Sequence, residues 1–382
     1  MPRLADVVAT LEAAYDPAAA EPWDAVGLVC GDPDAEVRRV HLAVDPVAAV
    51  VDEAIAAGAQ LLVTHHPLFL GGTTTVAATT AKGRLVHRLI GSGVGLYVAH
   101  TNADVARPGV SDALADSLGL QELRPLEAAS PPGREDKVVT FVPADAVDRV
   151  LDAMAAAGAG TIGDYTRCAF LADGAGTFRP GEAAHPTVGE PGRVARTPEV
   201  RVEMVAPRGR RDDVVRALLA AHPYEEPAFD LVELAAPPTG TGLGRVGVLA
   251  TERPLAAFTA AVARALPATA WGVRGAGDPR RPVRTVAVCG GSGGALAATA
   301  ARVGADVLVT ADLKHHVVSE ALEDDVIAFV DAAHWATEWP WLDQVAHLLT
   351  GSSGAGGTAT VDATVSTIVT DPWSVHEHRE EP

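Results

Sequence analysis

Short apolar runs and helix-favouring stretches alternate along the first third of this chain. The runs are His41-Leu42-Ala43-Val44, Leu61-Leu62-Val63-Thr64 and Gly95-Leu96-Tyr97-Val98-Ala99; the stretches between and after them cover Pro46 to Ala57, Gly83 to Ser92 and Ser111 to Leu118. Unbroken apolar runs of this length read as strands buried on both faces. Strand then helix, repeated, builds a parallel sheet. The order returns far downstream as a strand over Thr285 to Cys289, a glycine loop, an Ala-rich helix, and strands over Val307 to Val309 and Val326 to Val330. The pattern predicts an α/β fold.

Two segments align by element. Ala57 to His66 and Val303 to Asp312 each run from a helix end through a Gly stop and a strand to a polar exit. The following strands leave through His100-Thr101-Asn102-Ala103-Asp104 and His334-Trp335-Ala336-Thr337-Glu338, with a carboxylate four residues after a histidine in both. Small Ala/Gly/Val-rich units resemble one another by composition alone, but matching polar exits on two consecutive strands favour an internal duplication with one composite site.

Between the halves, Pro125 to Pro132 and Pro237 to Gly240 read as linkers. They bracket a strand at Lys137–Val142, a helix at Ala144–Ala156, an alternating strand at Val200–Val205, a helix at Asp212–Ala221 and a closing strand at Asp230–Leu234. Gly174 to Pro198 reads as loop. A β-α-β-β-α-β order predicts a ferredoxin-like sandwich. The expected organisation is a discontinuous α/β core over 1–127 and 238–372, an insert over 128–237 and a flexible tail over 373–382. Gly351 to Gly357 reads as a connector to a β-rich segment, Thr358 to Val369, and His376 to Pro382 as a frayed end.

Composition narrows the function. With 382 residues the chain has ample length for such a core, and an apolar fraction of 48% with only 4% aromatics leaves Ala, Val and Leu to fill it. A formal charge of -19 argues against nucleic acid or anionic membrane as a partner. The first residues lack a signal-peptide pattern, and no membrane-length apolar run occurs, so a soluble cytoplasmic protein is expected. Three scattered cysteines make neither a disulfide framework nor a thiolate metal knuckle. The thirteen histidines are the better supply of ligands.

Strand ends in open α/β sheets are where ligands sit. Collected there are His65, His66, His100, Asp104, His334 and Glu338, a set suited to two divalent ions with bridging carboxylates and a pKa-lowered bridging water, hence to hydrolysis. His100 has the alternative role of orienting Asp104. Asp45 stands at another strand exit, and Asp312, Lys314, His315 and His316 follow the strand equivalent to the one before His65; Lys314 and a histidine are candidates to meet substrate anions, with a plain helix start as the alternative. Gly290-Gly291-Ser292-Gly293-Gly294 reads either as a phosphate cradle or as a tight turn. His222-Pro223-Tyr224-Glu225-Glu226-Pro227 lacks metal partners and reads as a structured turn or interface contact.

These stretches, with Trp23-Asp24-Ala25-Val26-Gly27-Leu28, Thr64-His65-His66-Pro67 and Gly242-Leu243-Gly244-Arg245-Val246-Gly247, resemble the Ngg-interacting-factor-like dinuclear metal-centre family, labelled GTP cyclohydrolase 1 type 2 homologs. Gly158 to Tyr165, Gly176-Thr177-Phe178 and His222 to Pro227 resemble its longer members. The resemblance implies metal ligands at His65, His66, Asp104, His334 and Glu338, with Asp104 and Glu338 bridging, two divalent ions per subunit (Zn, Fe, Mn, Co or Ni), a toroidal homohexamer and a PII- or CutA-like insert. Ala25 stands where the family carries Asn, and Ala311 where it carries Gly. Two functions follow: hydrolysis of GTP or a related nucleotide-like metabolite through a metal-bridging hydroxide, with Lys314, Arg245 or the glycine loop receiving the triphosphate, or a non-catalytic metal-binding or regulatory hexamer.

Overall fold

The computed structural model describes residues 1–129, 135–235, 240–351 and 361–377. The expected linker positions 130–132 and 237–239, the connector 352–357 and the tail 378–382 lie outside the described residues. The chain divides into two compact units, Met1–Ala129 with Thr239–Pro382, and Ser130–Pro238.

The larger unit is mixed α/β. Among the described residues it holds a five-stranded sheet in the spatial order Gly27–Cys30, Gly95–Val98, Leu61–Thr64, Arg39–Ala43 and Asp362–Val365. The last four run parallel, and Gly27–Cys30 pairs antiparallel at one edge. A six-stranded sheet follows the order Val273–Ala276, Ala328–Ala332, Val307–Ala311, Pro282–Val288, Gly242–Pro254 and Gln121–Ala128. It too has an antiparallel edge strand beside three parallel strands laid down in reverse chain order. Each half therefore repeats one pattern, and each sends its final strand to the other's sheet: Gln121–Ala128 pairs with Gly242–Pro254, and Asp362–Val365 with Arg39–Ala43. Neither sheet is complete without the other half.

The central strands are uniformly apolar because both their faces are covered. Leu61, Leu62 and Val63 are fully buried, as are Val307, Leu308 and Val309, and each such side chain contributes roughly 1.5–3 kcal/mol of hydrophobic stabilisation. Two of the scarce aromatics, Trp341 and Tyr15, sit at the centre. Trp341, on the helix Pro340–Leu349, packs edge-on against Tyr15 at 5.4 Å and against His65 at 5.3 Å.

Three expectations are corrected. Pro125 lies within the strand Gln121–Ala128, opposite Arg245; this strand is a sheet edge, where an absent N–H goes unmissed. The strand expected from Val326 is Ala328–Ala332, which brings Asp331 into the sheet. Gly174 to Pro198 is loop only over 179–194: Phe170–Phe178 and Ala195–Pro207 form an antiparallel hairpin with Gly174 opposite Glu199. Gly176 fits that strand because any Cβ there would lie 2.1 Å from Glu199 Oε2.

In the smaller unit the strands Phe170–Phe178, Ala195–Pro207, Glu135–Val142 and Phe229–Glu233 form one antiparallel sheet in that spatial order. The helices Val147–Ala156 and Arg211–Ala221 cover one face through Val150, Met154 and Leu218 against Val138, Val202 and Met204. No described helix in either unit is long and apolar enough to cross a membrane.

Candidate metal centre

The site is built where parallel strands end. After Leu61–Thr64 the chain stays against its neighbour strand, with His65 N donating to Ala43 O at 3.2 Å and His66 N to Val44 O at 2.8 Å. Both imidazoles are thereby held at the sheet's rim. The strand Gly95–Val98 leads to His100, which stands just before the short helix Thr101–Val105; Ala328–Ala332 leads to the short helix His334–Glu338. One helical turn then brings Asp104 under His100 and Glu338 under His334.

The groups converge on Glu338. Its Oε1 is 2.9 Å from His334 Nε2 and 3.5 Å from His65 Nε2, and its Oε2 is 3.1 Å from His66 Nε2. Asp104 Oδ1 lies 3.7 Å from His65 Nε2. Ligand atoms of His65, His66 and His100, and those of His66, His334 and Glu338, lie within 4.8 Å of one another, so each group can hold a metal ion and His66 belongs to both.

Every imidazole is oriented from behind. His65 Nδ1 donates to Ala99 O at 2.9 Å, His66 Nδ1 to Asp45 Oδ1 at 2.7 Å, His100 Nδ1 to Asp24 Oδ1 at 2.9 Å and His334 Nδ1 to Asp312 Oδ2 at 2.6 Å. With a proton kept on Nδ1, each ring, once neutral, presents an Nε2 lone pair to the cluster, the arrangement that orients and strengthens metal-ligating histidines. Two buried atoms facing that centre, His65 Nε2 and Glu338 Oε2, make no hydrogen bond of good geometry, although Oε2 is within ion-pair range of His66 Nε2. A donor set of imidazole and carboxylate with an orphaned atom at its focus fits a divalent ion.

The electrostatics are strongly coupled. Burial opposes charge on His66, but Glu338 and Asp45 outweigh it and hold the imidazole up at about 11; His334, facing Glu338 and Asp312, is held at about 9. His65 is also raised, against its burial, by Glu338 and Asp104. Glu338 is kept well below the usual carboxylate range despite burial, because His66, His65 and His334 surround it. Burial lifts Asp104 to about 6, whereas burial and the charge of His65 lower His100.

The remaining expected residues divide. Asp45 and Asp312 act through His66 and His334. Ser292, Lys314 and His316 are exposed, and Lys314 with His315 and His316 starts the helix His315–Glu323. Arg245 is not available to a triphosphate: it is fully buried and bonded to Asp112 and to backbone carbonyls. The glycine loop is not an open cradle either, since Gly290 N donates to Ser111 Oγ, Gly291 N to Thr337 Oγ1 and Gly293 N to Thr310 Oγ1. It backs the centre instead. At Gly291, with φ +64°, a Cβ would stand 2.4 Å from Glu338 Oε1 and 3.0 Å from His334 Nε2.

Sequence reasoning missed Asp24 as a positioning group and the segment around Thr370. Asp24 accepts from His100 Nδ1 and from the Thr101 amide and hydroxyl. Thr370 donates to Asp45 Oδ2, and the buried Asp371 Oδ2 lacks a partner. Thr370, Asp371 and Asp45 border a ≈ 250 Å³ cavity shared with His66 and His334. Trp23-Asp24 stood out in the sequence, but nothing there linked it to His100; Thr370 carried no signal.

The family model for Duf34/NIF3 (NGG1p interacting factor 3) matches residues 2–372. A Mycobacterium tuberculosis protein named "GTP cyclohydrolase 1 type 2 homolog" is 50% identical over 376 residues, 98% of each chain. A solved Bacillus cereus protein related to NIF3 is 35% identical with TM-score 0.66, covering 97% of this chain and 98% of that one. A solved Staphylococcus aureus protein is 29% identical with TM-score 0.73, covering 98% and 99%. The chain belongs to the Duf34/NIF3 family.

Proposed function

We propose that this protein holds two divalent metal ions through His65, His66, Asp104, His334 and Glu338, and is a metal-dependent hydrolase of GTP or a related nucleotide-like metabolite. The carrying observation is the inward convergence of oriented Nε2 atoms on the buried Glu338 carboxylate, with the buried His65 Nε2 left without a hydrogen bond. Bound divalent ions would activate water and steady charge developing on a substrate. The chain's own part is to orient the ligands through Asp45, Asp312 and Ala99 O, to hold His100 and Asp104 beside them, and to keep the inner face of the centre dry beneath Trp341. The names of the relatives support a nucleotide-like substrate. So does a ≈ 470 Å³ cavity that runs from His66 and Asp45 past Lys82 and Arg84, two cations suited to phosphate oxygens, with Arg88 at its edge already paired with Asp52. On the same reading the smaller unit is an inserted ferredoxin-like domain of PII/CutA type, and the assembly is a cytoplasmic homohexamer, to be checked by native mass.

The test joins elemental analysis of protein purified without chelator to a nucleotide panel, with formate release from GTP among the readouts. Two ions per chain with turnover support the proposal. Two ions without turnover leave the non-catalytic assembly, and no ion removes both.

Metal uptake should release protons. His66 and His334, held at about 11 and about 9, carry protons at neutral pH in the metal-free protein, and an ion must displace them. Affinity should therefore rise from pH 6 to pH 9, by about tenfold per pH unit for each displaced proton. Calorimetry in buffers of different ionisation enthalpy counts them; uptake without release would contradict the assignment of these histidines.

Gly291→Ala pushes a methyl against Glu338 and His334. It should weaken ion binding by about 10- to 100-fold, measured against a chromophoric chelator, with Gly294→Ala, whose Cβ meets only Leu313 at 3.6 Å, as the control.

A further inference from the structure

The smaller unit contains a second built cavity, far in chemistry from the metal centre. It occupies ≈ 860 Å³ on the sheet face opposite the two helices, between the hairpin loop 179–194 and the turn His222 to Pro227. That size is within the range of small-molecule sites. The turn explains its own unusual sequence. His222 Nε2 bonds Phe141 O at 3.0 Å, and Tyr224 N donates to His222 Nδ1 at 3.1 Å, which aims the Tyr224 ring into the cavity beside Phe178, ring centroids 6.3 Å apart. The hairpin loop is latched over it, with His185 N donating to Glu225 Oε2 at 3.0 Å and Thr187 Oγ1 to Pro223 O at 2.8 Å.

At the bottom lies a carboxylate. Glu199 is only 9% exposed. Tyr224 donates its hydroxyl to Oε1 at 2.8 Å, and among the described residues no donor reaches Oε2. Gly176 beneath it leaves the space the carboxylate fills. A carboxylate set in a largely apolar recess, with one oxygen free of protein donors, is a natural counter-charge for a cation. Asp173, Glu225 and Glu226 add negative charge around the cavity, and Arg201, its one lining cation among the described residues, is held by Glu203 at 2.8 Å. Phosphate or carboxylate ligands would be repelled. The flat Gly174 and Gly176 floor, with Phe178 and Tyr224 as walls, suits a planar apolar body and stacking of a cation on aromatic faces.

We propose that this cavity binds a small organic cation, an amine carried on a flat apolar body, with Glu199 as the counter-charge. The test uses the full chain in about 0.15 M salt, which screens the general acidity of the surface. Tryptamine and its anionic counterpart indole-3-acetate are titrated calorimetrically into the wild type and into Glu199→Gln. Tryptamine should saturate at one per chain and bind at least about tenfold more tightly than indole-3-acetate, and Glu199→Gln should cost it at least about tenfold while metal content is unchanged. Absent tryptamine binding, equal affinity for the two probes, or tryptamine binding untouched by Glu199→Gln would overturn the proposal. The wild-type comparison decides alone where the variant does not fold.

Discussion

Glu338→Gln is expected to empty the metal centre: from the proposed two ions per chain, protein purified without chelator should fall below one. The side chain is 3% exposed and is the shared neighbour of the Nε2 atoms of His65, His66 and His334. Glutamine keeps the volume and one carbonyl oxygen but removes the charge that would offset the proposed ions. Coulomb attraction in a partly dry site makes that charge the dominant contribution to affinity. His65→Ala should have a similar effect, because His65 Nε2 has no other buried partner to satisfy it. His100→Ala should be milder. Its imidazole is already biased to the neutral form by burial and by His65, and it faces only one of the two ligand groups. An ordering in which His100→Ala strips metal while Glu338→Gln retains two ions would contradict the assignment of Glu338 as the bridging group. Elemental analysis reads each case directly.

The parts of this site legible in the sequence were those in which one residue type follows directly from chain position. A run such as Leu61-Leu62-Val63 can end only at a sheet rim, so His65 and His66 had to stand there, and a four-residue step from His100 or His334 had to return a carboxylate to the same face. The orienting contacts were not legible because they are made across long loops. Asp24 reaches His100 over 76 positions and Thr370 reaches Asp45 over 325; no local pattern encodes such pairs. The same limit explains Pro125 and Gly174 to Phe178. Proline and glycine are turn formers locally, yet at a sheet edge proline loses no ladder bond, and opposite Glu199 glycine alone leaves room. Arg245 failed for another reason. It was one candidate to receive a triphosphate, and only the fold reveals that its anion is already supplied from within the chain.

That internal pair carries the largest expected stability effect. Arg245 is fully buried on the strand Gly242–Pro254, the first strand of the second half. All five of its donors are used. Nε reaches Asp112 Oδ1 at 2.9 Å and Nη2 reaches Asp112 Oδ2 at 2.7 Å; Nη1 donates to Gly242 O and Gly244 O at 2.7 Å each, and Nη2 also to Ala106 O at 2.5 Å. Asp112 lies on the helix Val110–Ser117 of the first half and also accepts from Gly109 N at 2.8 Å. The guanidinium thus fastens the end of one half to the beginning of the other, where the chain departs into and returns from the smaller unit. Asp112→Ala leaves a buried cation with carbonyl partners alone, which should cost about 3–5 kcal/mol. For a unit of this size that is roughly 6–20 °C in melting temperature. Arg245→Lys alone should also destabilise, because a point ammonium cannot satisfy a bidentate carboxylate and three carbonyls in one plane. The double variant Arg245→Met with Asp112→Leu should be less destabilised than Asp112→Ala, since it buries no unpaired charge. Urea denaturation of the three variants measures this. Asp112→Ala losing less than about 1 kcal/mol would mean that water reaches the guanidinium and that the two halves are held together by their exchanged strands instead.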